Sequence, residues 1–226
     1  MSYSEDTLAD LYAWGAEHGL HSDYVDTRIK SGTVQLRDKW NSGSHDPDTY
    51  YSQECQDEYI YDLTAWHGSG TINEWFAVVK THLQHYKPGR LLDYGAGIGT
   101  YSMIAAELGW EVDACDLNQS NLDYIAWRAD RHDLPVHPVL TPSGLYDAII
   151  CIDTIEHLPD PTEFPRIAAS ILFERGLLIA TWTFHTSGGM HPMHHGQEQI
   201  TPFLRELYKY FAQTSNSWPV SLESIL

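Results

Sequence analysis

Three glycines stand at alternate positions, Gly95, Gly97 and Gly99, two residues after an acid, Asp93. Glycine has no Cβ, so backbone N–H groups at such a turn can approach a small anionic or zwitterionic ligand closely. The spacing differs from the dinucleotide fingerprint G-x-G-x-x-G, because Thr100 stands one place after the third glycine. No Lys-Ser/Thr pair follows, so it is not a Walker loop. Asp116 comes 17 positions after Gly99; at a strand end, its carboxylate can accept both hydroxyls of a ribose. A second group, Asp153, Glu156 and His157, holds two carboxylates and an imidazole three and four residues apart. On a helical turn these share one face. Such a face can bind a divalent metal, or His157 can act alone as a general base, since an unperturbed imidazole titrates near neutrality. Four histidines, His185, His191, His194 and His195, crowd the stretch TFHTSGGMHPMHHGQ. They read either as a polar surface loop or as the missing half of that metal site.

These residues need elements to hold them. Leu91 and Leu92 predict a buried strand running into Asp93, and a helix is expected over 100–108. Strands are expected over 111–115, 136–140, 146–152 and 177–181, with helices over 119–131, 161–173 and 200–211 between and after them. This alternation predicts an α/β fold, a Rossmann-like doubly wound and mostly parallel sheet. Ligands of such sheets bind at the carboxyl ends of the strands. Residues 1–88 predict a helical cap rich in aromatics, with helices near 8–14, 50–66 and 72–86. Residues 89–226 then form the second unit. Trp40, Tyr50, Tyr51, Tyr59, Trp66 and Trp75 either pack the cap on the sheet or wall a dry substrate pocket.

D-Y-G-A-G-I-G resembles motif I of the class I S-adenosylmethionine-dependent methyltransferases, and the resemblance runs over about 89–211. It implies that the loop passes under the methionine part of S-adenosylmethionine, and that Asp93 helps hold its amino group. The implied cofactor-binding set is Asp93, Tyr94, Gly95, Ala96, Gly97, Gly99, Asp116 and Leu117. The stretch YDAIICIDTIEHLPDP resembles the fourth-strand motif of small-molecule methyltransferases. Its D-x-x-E-H is similar to the E-x-x-E-H of ubiquinone-pathway O-methyltransferases and small-RNA 2′-O-methyltransferases. That similarity implies a metal site of Asp153, Glu156, His157, His194 and His195, holding Mg, Mn, Fe or Zn. It also implies catalytic roles for His157, Glu156 and Asp153. The family's acid after the third strand is missing. Thr141-Pro142-Ser143-Gly144 stands there, so either Ser143 or a backbone group contacts the adenine, or the pocket departs from the family's. The last fifteen residues are short for the family's closing strand pair, so a trimmed sheet edge is expected, covered by the N-terminal helices or a second subunit.

Composition bounds the partners. The net charge is −18, from 31 acids against 13 Lys and Arg. Nucleic acid and anionic membrane surfaces need a basic face, so neither is an expected partner. The acidic opening MSYSEDTLAD predicts no signal peptide, and three scattered cysteines without C-x-x-C predict free thiols in a cytoplasmic, reducing setting. The resulting expectation is an O-methyltransferase for a small-molecule acceptor, with a homo-oligomer as one way to cover the sheet edge. The alternatives are a binding protein without catalysis and, less in keeping with the glycine spacing, a nicotinamide oxidoreductase.

Overall fold

The computed structural model describes residues 3–185, 194–215 and 217–225. Seven strands form one sheet in the order β3-β2-β1-β4-β5-β7-β6. They are β1 (Arg90–Tyr94), β2 (Glu111–Cys115), β3 (Val136–Val139), β4 (Tyr146–Cys151), β5 (Leu172–Ala180), β6 (Phe211–Gln213) and β7 (Val220–Ser224). The first five pair in parallel, and β7 lies antiparallel between β5 and β6. The central strands are apolar on both faces because both are covered. Leu91, Ile150 and Leu177 enter one core cluster, whereas Leu92, Ile149 and Leu178 enter the other. The first cluster takes α5 (Asn73–Gln84), α6 (Thr100–Glu107) and α7 (Gln119–His132); the second takes α8 (Phe164–Ile171) and α9 (Ile200–Tyr210).

The N-terminal part folds as α1 (Tyr3–Glu17), α2 (Ser22–Ser42), the short turn α3 (Pro47–Thr49), a π-helical turn over Tyr50–Glu54, and α4 (Glu58–Gly68). Leu11, Val25, Ile60 and Tyr61 pack with Ile98 of the glycine loop and Tyr124 of α7. Thus α1, α2 and α4 lie over the carboxyl ends of the strands, while α5 buries Phe76, Val79 and Leu83 in the sheet's own core. A buried ion pair fixes the cap. Asp10 of α1 accepts from Arg128 of α7 at 2.9 Å, and Arg128 also donates to the Ile98 carbonyl at 2.7 Å. His132 and Arg131 reach the same carboxylate at 2.9 and 3.3 Å.

Three expectations change here. Helix α2 stands where no element was expected, between the helices near 8–14 and 50–66, and it packs closely on α4, where Gly32 admits the backbone of Asp62. The single helix expected over 50–66 is broken, because the π turn ends at Cys55 and α4 starts only at Glu58. The sheet edge is completed by the chain itself: β6 and β7 form with three and five residues, and β7 covers β5. The strand pair is short, as expected, but neither the N-terminal helices nor a second subunit is needed to cover β5.

Candidate active site

At the end of β1 the chain turns through Gly95, Gly97 and Gly99, with φ values of 75°, 56° and 71°. Side chains rarely adopt this left-handed backbone, so the glycines are required by conformation. The N–H groups of Gly95 and Ala96 donate to the Cys115 carbonyl at 2.9 Å each, which ties the loop to the end of β2. Space is tight as well: a Cβ on Gly97 would stand 2.6 Å from Cδ1 of Leu63 in the cap.

Two acids face this loop. Asp93 is buried and accepts from Ser102 Oγ at 2.6 Å. Burial, reinforced by the nearby Asp116 charge and opposed by Ser102, pushes it up to about 7. An anion so placed has no positive partner among the described residues, as a site for a ligand ammonium would. Asp116 accepts from the Gly97 N–H and the Asn118 N–H at 2.8 Å each, and from Asn121 Nδ2 at 3.3 Å. Its enclosed position raises it, and these bonds hold it down. Leu117 is exposed beside it, while Tyr94 turns its ring against Phe164 of α8, 5.5 Å away.

Tyr101, in the first turn of α6, was not singled out by the sequence pattern. Its hydroxyl is buried without a hydrogen-bond partner and feels the charges of Asp153 and Asp93. Its only sequence signal is its place two residues past Gly99. Together, the glycine cradle, the unbalanced Asp93 and this orphaned hydroxyl fit the methionine end of S-adenosylmethionine, and Asp116 fits its ribose. The adenine expectation for Ser143 is corrected. Its carbonyl accepts from Arg90 at 2.7 Å and its N–H donates to Tyr146 Oη at 3.1 Å, at the opposite end of the strands.

The second group lies at the end of β4. Asp93 and Ile150 are register partners on adjacent strands, so both strand ends open on the same side. Thr154 packs on Gly95, which sets the next turn against the cradle. Asp153 takes a left-handed φ of 54°, and its N–H donates to Thr181 Oγ1 at 2.8 Å. Ile155–His157 form a 3-10 turn rather than a helix, so the expected shared face does not develop.

Glu156 is fully buried and turns inward. Its Oε1 accepts from the Thr183 N–H at 3.1 Å, and its carbonyl from the His195 N–H at 3.2 Å. Burial, then the neighbouring Asp153 charge, hold Glu156 well above the usual carboxylate range. The His195 ring bonds the Leu158 carbonyl at 2.7 Å. His157 meets the Tyr51 hydroxyl through Nδ1 at 2.5 Å, with the His194 ring centred 4.3 Å from its own. His191 lies outside the described residues. Among the described residues, no three His, Cys, Asp or Glu side chains converge to hold a metal ion. The expected ligands are not gathered here: Glu156 lends one carboxylate oxygen to the Thr183 N–H, and the His195 ring bonds the Leu158 carbonyl.

A family profile described as "Methyltransferase domain" matches residues 68–215. The chain belongs to the class I methyltransferase family. The ubiquinone biosynthesis O-methyltransferase of Caulobacter sp. (strain K31) is 34% identical over 98 residues, 40% of this chain and 39% of that protein. The protein of the same name from Bordetella avium (strain 197N) is 28% identical over 127 residues, 53% of this chain and 49% of its own length. The chain thus aligns with half or less of these curated relatives. A crystal structure of magnesium protoporphyrin IX methyltransferase from Synechocystis PCC 6803 with bound S-adenosylmethionine superposes with a TM-score of 0.50 at 20% identity, over 85% of this chain and 95% of that one. At that identity the likeness concerns the methyltransferase fold. The family match begins at the last residue of α4, so the cap elements before it lie outside the methyltransferase profile.

Proposed function

We propose that the chain transfers a methyl group from S-adenosylmethionine to a hydroxyl of a small-molecule acceptor. One observation carries this reading: the turn bearing His157 is packed against the glycine cradle through Thr154 and Gly95. A base on one strand end therefore stands beside a cofactor held on the next. When bound, S-adenosylmethionine would supply an electrophilic methyl on its sulfonium, and the methyl–sulfur bond would break as the thioether S-adenosylhomocysteine leaves. Asp93 and the glycine loop would hold its methionine end, and Asp116 its ribose. Tyr94, Ala96 and Leu117 would line the cradle. His157 takes the acceptor hydroxyl's proton as the new O–C bond forms. The cap, lying over the strand ends, keeps the acceptor aligned and water out, and alignment supplies most of the acceleration.

Glu156 and Asp153 support this turn without touching the reacting atoms. No step is assigned to a metal, since the donors expected for one do not converge among the described residues. We further propose that residues 1–88 form the acceptor-facing cap, with α5 shared between cap and sheet. The acid surface disfavours polyanionic partners, so the acceptor is not nucleic acid. No helix among the described residues is long and apolar enough to cross a membrane. Cys55, Cys115 and Cys151 are free and buried, which suits a reducing cytoplasm.

Calorimetric titration with S-adenosylmethionine, followed by a screen of phenols and aliphatic alcohols for S-adenosylhomocysteine release, tests the reading. Cofactor binding and turnover of a hydroxyl compound are expected. Binding without turnover of any acceptor would favour a non-catalytic partner protein, and binding of NAD(P) instead would favour an oxidoreductase. Sedimentation velocity of the same sample tests for a homo-oligomer.

A further inference from the structure

Tyr51 belongs to the cap, outside the segment shared with the methyltransferase family. It sits in the π-helical turn Tyr50–Glu54, a rare local geometry that often marks functional positions. The turn is anchored on both sides of Tyr51. The Tyr50 hydroxyl donates to the Leu36 carbonyl at 2.9 Å, and Cys55 Sγ donates to the Tyr51 carbonyl at 3.2 Å. The Tyr51 side chain then crosses 106 residues of sequence to reach His157 Nδ1 at 2.5 Å, its ring edge-on to the imidazole with centroids 5.4 Å apart. Behind it, the Tyr59 hydroxyl bonds the Tyr51 oxygen, with the two rings tilted at 5.8 Å. Burial holds both phenols neutral. A packed neutral hydroxyl fixed at one ring nitrogen restrains an imidazole's rotation and selects its tautomer.

We propose that Tyr51, backed by Tyr59, is a positioning residue for His157: its oxygen accepts the imidazole's Nδ1–H, which fixes the tautomer with Nε2 unprotonated, so that Nε2 takes the acceptor's proton. This rests on the reading of His157 as the base. It also gives the cap a role in chemistry. The family segment carries the histidine, and the cap carries the group that aims it. If the cap is displaced, His157 loses its orienting partner even when the cradle stays intact.

The test uses the full chain, labelled with nitrogen-15, and compares wild type, Tyr51→Phe, Tyr59→Phe and His157→Gln. The chain has 13 histidines, so the His157 ring signals are identified by their loss in His157→Gln. In Tyr51→Phe these signals should move toward those of a freely exchanging tautomer mixture, and Tyr59→Phe should move them less, in the same direction. S-adenosylmethionine affinity should stay within about twofold, which shows that each variant is folded. With a hydroxyl acceptor turned over in the screen above, Tyr51→Phe should lower kcat by about ten- to a hundredfold, the range for losing an orienting partner, with KM little changed. Unmoved His157 signals in Tyr51→Phe overturn the proposal alone. Wild-type turnover in His157→Gln overturns the base reading beneath it, and the proposal falls with that reading.

Discussion

Replacing Asp93 with asparagine should strengthen the empty fold and weaken the cofactor complex at once. The ordinary value for this carboxyl is 3.8, and burial raises it to about 7. The folded chain therefore prefers the protonated form. Its contribution to stability is fully present below about pH 4, declines as the unfolded carboxyl ionises, and is lost once pH passes about 7. The rise amounts to about three tenfold steps at roughly 1.4 kcal/mol each, so ionised Asp93 destabilises the apo chain by an amount on the order of 4 kcal/mol at about pH 8. Asparagine keeps the shape and removes that penalty. Urea titration at about pH 8 should show the apo variant more stable than wild type, and the gain should vanish near pH 4. Binding runs the other way. A ligand ammonium needs the anion, so wild-type affinity for S-adenosylmethionine should fall by about an order of magnitude from pH 7.5 to pH 6. It should fall again above about pH 8, where the ligand's own α-amino group deprotonates. Calorimetry in two buffers of different ionisation enthalpy should detect proton release by the protein on binding near pH 6.5. Affinity that is flat across this range, together with an apo variant no more stable than wild type, would refute the assignment of Asp93.

Other perturbations have equally definite outcomes. Gly97→Ala places a methyl 2.6 Å from Leu63 on a backbone with φ of 56°; it should cost about 1–3 kcal/mol in a denaturant melt and weaken cofactor binding at least about tenfold. Asp10→Ala leaves Arg128 charged and buried beneath the cap, so a loss of about 3–5 kcal/mol is expected, and a melt within about 1 kcal/mol of wild type would show that the pair does not hold the cap. Glu156→Ala strands the Thr183 N–H and should lose about 1–3 kcal/mol, with Glu156→Gln losing clearly less. Elemental analysis of the purified chain should find no stoichiometric metal, and a metal released by the Glu156 variants would restore its role as a ligand.

The glycine cradle was legible because its constraint is local. Three left-handed positions next to a strand end can be read from glycine spacing, and Asp93 and Asp116 follow from where the strands stop. The parallel α/β layering of β1 to β5 follows from the same alternation of apolar runs. The turn at Asp153–His157 was legible in residue type and misleading in geometry. Helical spacing would bring Glu156 and His157 onto one face with Asp153, yet a left-handed Asp153 and a 3-10 turn send Glu156 into the core and leave His157 at the site. Nothing local in D-T-I-E-H separates these outcomes, since tertiary burial of Glu156 decides them. Ser143 misled for a similar reason. Position after a strand suggests the ligand end, but the connection from β3 to β4 returns to the opposite end before β4 begins. The link between Tyr51 and His157 spans the chain, and no periodicity reports a contact of that kind.

Equilibrium dialysis with radiolabelled S-adenosylmethionine tests the central claim most directly. The account predicts about one site per chain, displaced by S-adenosylhomocysteine, untouched by NAD(P), and weakened at least about tenfold by Asp116→Asn, since a ribose held by a charged acceptor loses a strong hydrogen bond. No retained label, or label retained equally by the Asp93, Gly97 and Asp116 variants, would contradict it.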